Sequence, residues 1–330
     1  MSKTHALRIK FLKTSFIGFI LLLYPHFNAL AISNLGCVGA GLAETFVPGL
    51  GFGLTGSYDK MLLFGGGRRL ASFQYYKAID EDGYQEDPDT VYDITTDEDT
   101  GITTSNVYIN EPTWRANYYG TISSDLWMMS VGDLYINACE PSTESYSLIV
   151  APFRFDHFYN NWMFYPPILL VAASYASFDK YSIVNYNLGQ GLTEERIKND
   201  SFSKYYLVGV GEEMLFRGTI QESFYQMYTQ SFGWSPSAAR HWSIFSGAAV
   251  FGLAHSGQGF TANPAAAFGF GVYEGYVYHP ETGDDRDLIT AIAIHSWWDL
   301  IVTYAYLHHA NYTESTEQVE VPLAKVYFRF

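Results

Sequence analysis

The chain has little cysteine, little positive charge and no clean apolar run long enough to settle its class by itself. Its 330 residues include two cysteines, Cys37 and Cys139. Two thiols so far apart are too few for a metal cage; they leave open one disulfide in an oxidising compartment or two free thiols. Lys and Arg total 19 against 34 Asp and Glu, a formal net charge of −15. A phosphate-binding surface needs clustered basic side chains, so nucleic acid is excluded as a partner. No internal repeat occurs, and no HExxH zinc motif. The length is enough for one large domain or two small ones.

What is present is aromatic. Aromatic residues make up 18 % of the chain, with 27 Tyr and 24 Phe. Such a content is common in membrane proteins, whose rings sit at the interface. Lys3, Arg8, Lys10 and Lys13 precede FIGFILLLY, and ALA follows at 29–31. That order describes a secretory signal peptide over 1–31, with an uncleaved first membrane helix as the alternative. Residues 32–77 are Gly-rich and apolar and read as membrane or interfacial segments around a turn at Gly56 to Lys60. Residues 78–150 are polar, with the acidic run IDEDGYQEDPDTVYDITTDED at 79–99. Their strand-and-turn composition is expected to give an acidic extracytoplasmic insertion with β character. Residues 311–330 form a polar C-terminal tail.

Between these, over 155–310, apolar segments alternate with short polar turns. They lie near 160–178, 204–228, 241–257, 262–279 and 288–308. Several approach the ~20 residues that cross a bilayer. The last four each contain His or Glu, and ionisable groups in such segments face a cavity, pair with one another and mark function.

Three constellations stand out. In VGVGEEMLFRGTIQESF, Glu213 and Arg217 are four apart and share a helix face, so they can pair and neutralise each other. Glu212 points about 100° away and is free to act as a general base. The plain alternative is a surface helix with an ordinary ion pair. In AVFGLAHSG, Phe251 and His255 are four apart; a lone His on an apolar segment is more often a core histidine than a catalyst. In AIAIHSWWDLIV, His295 and Asp299 share a helix face, as an oriented imidazole or as a structural hydrogen-bonded pair. Glu274 also falls in an apolar segment, where it lines a cavity or makes a helix-end ion pair. His241, His308 and His309 flank segments as interfacial residues, and Gly218 and Gly257 suit close helix packing.

Taken in order, EExxxR, FxxxH and HxxxD on apolar segments resemble the CPBP family of intramembrane proteases. That family includes CAAX prenyl protease type 2, the bacterial Abi proteins and lysostaphin-resistance-like proteins. EEMLFRGTIQ is similar to the family's EE-L-FRG-LQ string, and the resemblance covers about residues 200–308. It implies an all-α integral membrane protein, a multi-helix transmembrane bundle carrying the acidic insertion. It implies that Glu212 activates a water shared with His255, that Glu213 and Arg217 support the site, and that His295 and Asp299 stand where the oxyanion forms. An ionised Asp cannot donate to an oxyanion, so Asp299 is expected to orient His295 instead. No cofactor is expected. The mechanistic alternative is zinc held by Glu212, His255 and His295.

The resemblance implies an intramembrane endopeptidase in a bacterial inner (cytoplasmic) membrane, with membrane lipid and a membrane-associated or lipidated protein or peptide as partners. A non-catalytic scaffold, or an immunity or maturation protein on the same fold, is the alternative. An outer-membrane β-barrel is a third reading, suggested by the Tyr, Gly and acid content.

Overall fold

A computed structural model describes residues 35–86, 91–139, 142–175, 182–255, 264–281 and 285–314. The signal peptide or first helix expected over 1–31, the tail beyond 314, and Gly257 lie outside the described residues. The longer helices are α1 (Leu35–Phe46), α2 (Gly67–Ile79), α3 (Glu111–Ile136), α4 (Tyr165–Tyr175), α5 (Glu194–Leu215), α6 (Pro236–Ala254), α7 (Pro264–Tyr278) and α8 (Leu288–His309). The architecture is therefore mostly helical, which removes the β-barrel reading.

One small mixed sheet sits at one end of the bundle. Its strands are β1 (Tyr92–Thr96), β2 (Thr103–Ile109), β3 (Ser182–Leu188) and β4 (Asn311–Glu314), in the order β1-β2-β3-β4. β1 and β2 form an antiparallel hairpin, whereas β2–β3 and β3–β4 are parallel, with Ile109 opposite Leu188. Val107, Ile109, Val184 and Leu188 turn inward onto Trp114, Ile197 and Leu307. The strand character expected over 78–150 thus holds for 92–109, but β3 and β4 come from far outside that stretch.

The largest departure is α3. Residues 111–136 read as strand and turn by composition, yet they form one long helix. Its start signal is local: the Asn110 side chain accepts from Thr113 N at 3.1 Å and Pro112 occupies the first turn. Both devices favour a helix start. Its β-branched and aromatic residues are kept helical by packing against α2 and α5, which outweighs weak propensity.

Because β2 and β3 are parallel and lead into α3 and α5, these two helices run side by side in the same direction. Polar contacts fix their register: Trp114 Nε1 donates to Asp200 Oδ2 at 2.8 Å, Tyr118 and Ser203 hydroxyls meet at 2.9 Å, and Lys204 Nζ donates to Asn117 Oδ1 at 2.6 Å. α8 runs the opposite way and enters β4. It presses on α5 so closely that a Cβ on Gly209 would lie 2.6 Å from the Ser296 backbone nitrogen. Gly218 has a comparable role, facing Ile136 and Leu288.

At the far end, Lys60 and Asp133 form a buried ion pair at 2.8 Å. Ser145 accepts from Lys60 Nζ at 2.8 Å, and Asn137 Nδ2 donates to Asp133 Oδ1 at 2.8 Å. Cys37 and Cys139 are joined in a disulfide at the same end, which settles the choice left open by the sequence. Among the described residues, Leu288–His309 is long and apolar enough to cross a membrane; Trp162–Tyr175 is shorter and apolar.

Candidate active site

Glu212 and Glu213 lie in the last turn of α5, which continues into a wider, π-helical turn over Phe216–Gln221. Such turns inside helices recur at functional sites. Adjacent positions on a helix point about 100° apart, so the two carboxylates serve different partners. Glu213 turns inward and is fully buried. Its Oε2 stands 3.2 Å from Arg217 Nε, the one-turn pairing that the spacing predicts. The geometry is that of an ion pair without an aligned hydrogen bond, and Arg217 Nε, Nη1 and Nη2 have no hydrogen-bond partner among the described residues. The guanidinium instead lies over the Phe251 ring, 4.8 Å from its centroid, a favourable cation–π contact.

Glu212 turns toward two imidazoles from other helices. His255 closes the C-terminal end of α6; its Nδ1 meets the Phe251 carbonyl at 2.8 Å, which fixes Nδ1 as the protonated nitrogen. Its Nε2 then faces Glu212 Oε2 at 3.6 Å. His295, in the middle of α8, faces the same Oε2 with its Nε2 at 3.7 Å. Both separations exceed a direct hydrogen bond.

His295 is held from behind by Glu213, whose Oε1 accepts from Nδ1 at 2.7 Å. Asp299 lies 3.6 Å from His295 Nε2, on the side that also faces Glu212. Asp299 is thus an electrostatic neighbour of His295 on its Nε2 side, without a direct hydrogen bond to it. Glu213 is the close partner, because α8 crosses α5 over Gly209 and brings His295 against the buried carboxylate. The sequence showed Glu213 only as the mate of Arg217.

The structure thus brings together all six residues singled out by the motifs: Glu212, Glu213, Arg217, His255, His295 and Asp299. Aromatic rings wall them in. Phe251 packs on His255 with centroids 4.2 Å apart, and Phe270 meets His295 edge-on at 5.4 Å. Phe270 carries no motif signal. Glu274 makes no helix-end ion pair: it is fully buried one turn beyond Phe270, and neither carboxylate oxygen has a hydrogen-bond partner among the described residues. It lies within electrostatic reach of Glu213, Arg217 and His295. Asp125 on α3, also unsignalled by any motif, is buried, and its backbone packs against Gly211, the residue before Glu212. Among the described residues, no group of three His, Cys, Asp or Glu side chains is arranged to hold a metal ion.

Comparison with known families follows the site. Residues 201–301 match the family model described as type II CAAX prenyl endopeptidase Rce1-like. The segment that carries the site is Rce1-like. The resemblance read from the three motifs holds over this stretch, and all six motif residues fall inside it. No curated protein and no solved structure matches the chain. The α1–α4 region, the sheet strands and the disulfide lie outside the Rce1-like segment.

Proposed function

We propose that the protein is a membrane-embedded endopeptidase that hydrolyses a peptide bond of a membrane-associated or lipidated protein or peptide. One observation carries this reading: Glu212 from α5, His255 from α6 and His295 from α8 converge, with Glu212 Oε2 at 3.6 and 3.7 Å from the two imidazole Nε2 atoms. That spacing suits a water taken between them. Glu212 accepts its proton as the oxygen attacks the peptide carbonyl, with His255 Nε2 as second acceptor. His295, protonated at Nδ1 against Glu213, presents Nε2–H to the oxyanion when it is the imidazolium. The C–N bond then breaks, and the proton held by Glu212 passes to the leaving nitrogen. Asp299 keeps the Nε2 edge turned toward the opening.

A lipid setting is supported by apolar side chains presented outward from several helices: Leu70 and Phe73 on α2, Leu169 on α4 and Leu253 on α6 are all more than half exposed. Exposed apolar area of this kind marks a membrane or partner surface. The proposal extends to placement in a bacterial inner membrane, which fractionation of the producing cells tests.

The test compares protein termini in membranes of cells making wild-type protein or Glu212→Gln at equal abundance. Termini found only with wild type support hydrolysis and name the substrate. Identical termini from two folded proteins reject it and leave a non-catalytic scaffold. The alternative water-activating device, zinc held by Glu212, His255 and His295, is decided by exhaustive chelation: activity that survives removes it, and activity lost and then restored by zinc establishes it.

A further inference from the structure

α3 lies outside the Rce1-like segment, yet it reaches the site. The parallel β2–β3 pairing launches α3 and α5 side by side, and the Trp114–Asp200, Tyr118–Ser203 and Asn117–Lys204 contacts hold their register. Two turns beyond Asn117 comes Asp125, and two turns beyond Lys204 comes Glu212. Between them stands Gly211, where an added Cβ would lie 2.9 Å from the Asp125 carbonyl oxygen. Glycine at 211 is what lets the two backbones touch beside Glu212.

Asp125 is 2 % exposed, and its Oδ2 has no hydrogen-bond partner among the described residues. It lies within electrostatic reach of Glu212 and Asp299, of like charge, and of Lys204 and His295. Lys204 spends its ammonium on Asn117. The contrast on the same helix is Asp133, two turns on, which is buried just as deeply but is bonded to Lys60, Asn137 and Ser145. A buried carboxylate kept for structure is satisfied in that way, because leaving it unpaired is costly.

We propose that Asp125 is a positioning residue of the active centre, a buried carboxylate that α3 brings against the Gly211–Glu212 turn of α5 to hold the attacking water against Glu212. The inference rests on the hydrolase reading above. A group retained for function at the expense of stability has a distinctive signature: neutralising it stabilises the fold and slows the reaction.

The experiment uses the full-length protein in detergent micelles, as wild type, Asp125→Asn, Glu212→Gln and the double variant. Two readouts are taken: the thermal melting temperature, and cleavage of a farnesylated peptide ending in a CAAX sequence. Asp125→Asn is expected to melt above wild type and to lose turnover by roughly tenfold or more with KM unchanged. The melting gains of Asp125→Asn and Glu212→Gln should not add, because the two buried carboxylates lie within electrostatic reach of each other. A melting temperature that falls or stays level, or turnover that is retained, overturns the proposal. A wild type that leaves the peptide intact counts against a CAAX-type activity; turnover is then read from the new termini formed in membranes, and a melting temperature that fails to rise still overturns the Asp125 proposal. Should Asp125→Asn not accumulate, Asp125→Ser takes its place under the same criteria.

Discussion

Glu213→Gln removes one negative charge from a fully buried cluster and keeps the side chain's shape. Two partners lose by it. His295 Nδ1–H, now 2.7 Å from a carboxylate oxygen, would find a neutral amide oxygen in the same place. Exchanging a charge-assisted bond for a neutral one costs about 1 kcal/mol. Arg217 loses more, since it is fully buried and, among the described residues, Glu213 is the one carboxylate paired with it. Breaking a buried pair by deleting one member costs about 3–5 kcal/mol. The two losses share one charge, so about 4 kcal/mol is a fair total, or roughly a thousandfold in the folded-to-unfolded ratio. Glu274 lies within reach of Arg217 and cushions part of this, so Glu213→Gln/Glu274→Gln should fall further than Glu213→Gln alone. The assay is thermal and denaturant unfolding of the purified protein, with Glu212→Gln as control. Glu212 Oε2 makes no direct hydrogen bond among the described residues, so the control should melt at or above wild type and, on the proposed mechanism, be inactive. A Glu213→Gln protein as stable as wild type would refute the view that Glu213 is the counter-ion that lets Arg217 be buried.

Three further outcomes follow from the structure. Lys60→Met should cost about 3–5 kcal/mol, measured by the same unfolding assay, because Asp133 stays buried without its cation; Lys60→Met/Asp133→Leu should recover most of it. Cys37→Ser, or reductant, should lower stability by about 2–5 kcal/mol, since the disulfide closes a loop with its ends 102 residues apart; an unchanged melting temperature would show that the bridge does not constrain the unfolded chain. In the β1–β2 turn, Asp97 accepts from Thr100 N at 2.8 Å and Asp99 N at 2.9 Å. These bonds, that to Thr100 first, hold its carboxyl below the ordinary Asp value. Its contribution to the hairpin is thus present above the unfolded-state value and lost as pH falls through the lowered one; the protection of the Thr100 amide, its exchange measured relative to the intrinsic rate at each pH, should fall on acidification in wild type and be low at all pH in Asp97→Ala.

The residues that carry the proposed chemistry were legible because their pairings are local. Four residues make one helical turn, so Glu213–Arg217, Phe251–His255 and His295–Asp299 could each be assigned a shared face from spacing alone, and Glu212 could be set apart from Glu213. Helix α3 was less legible. Its Asn110 and Pro112 start signal is present, but the β-branched and aromatic residues around it suggested strand, and only packing against α2 and α5 overrides them.

What the chain order could not contain is which distant groups meet. Glu213 finds His295 across 82 residues because α8 crosses α5 on Gly209. Cys37 finds Cys139 across 102 residues. The α3 backbone at Asp125 meets α5 next to Glu212 because β2 and β3 pair in parallel and Gly211 has no side chain. The sequence by itself determined the helical phase of the candidate site residues, since periodicity is a property of the local backbone. Tertiary structure alone decided which carboxylate orients which imidazole, and that a helix outside the Rce1-like segment contributes to the site, because those facts depend on helix crossings and strand register set by burial of the whole chain.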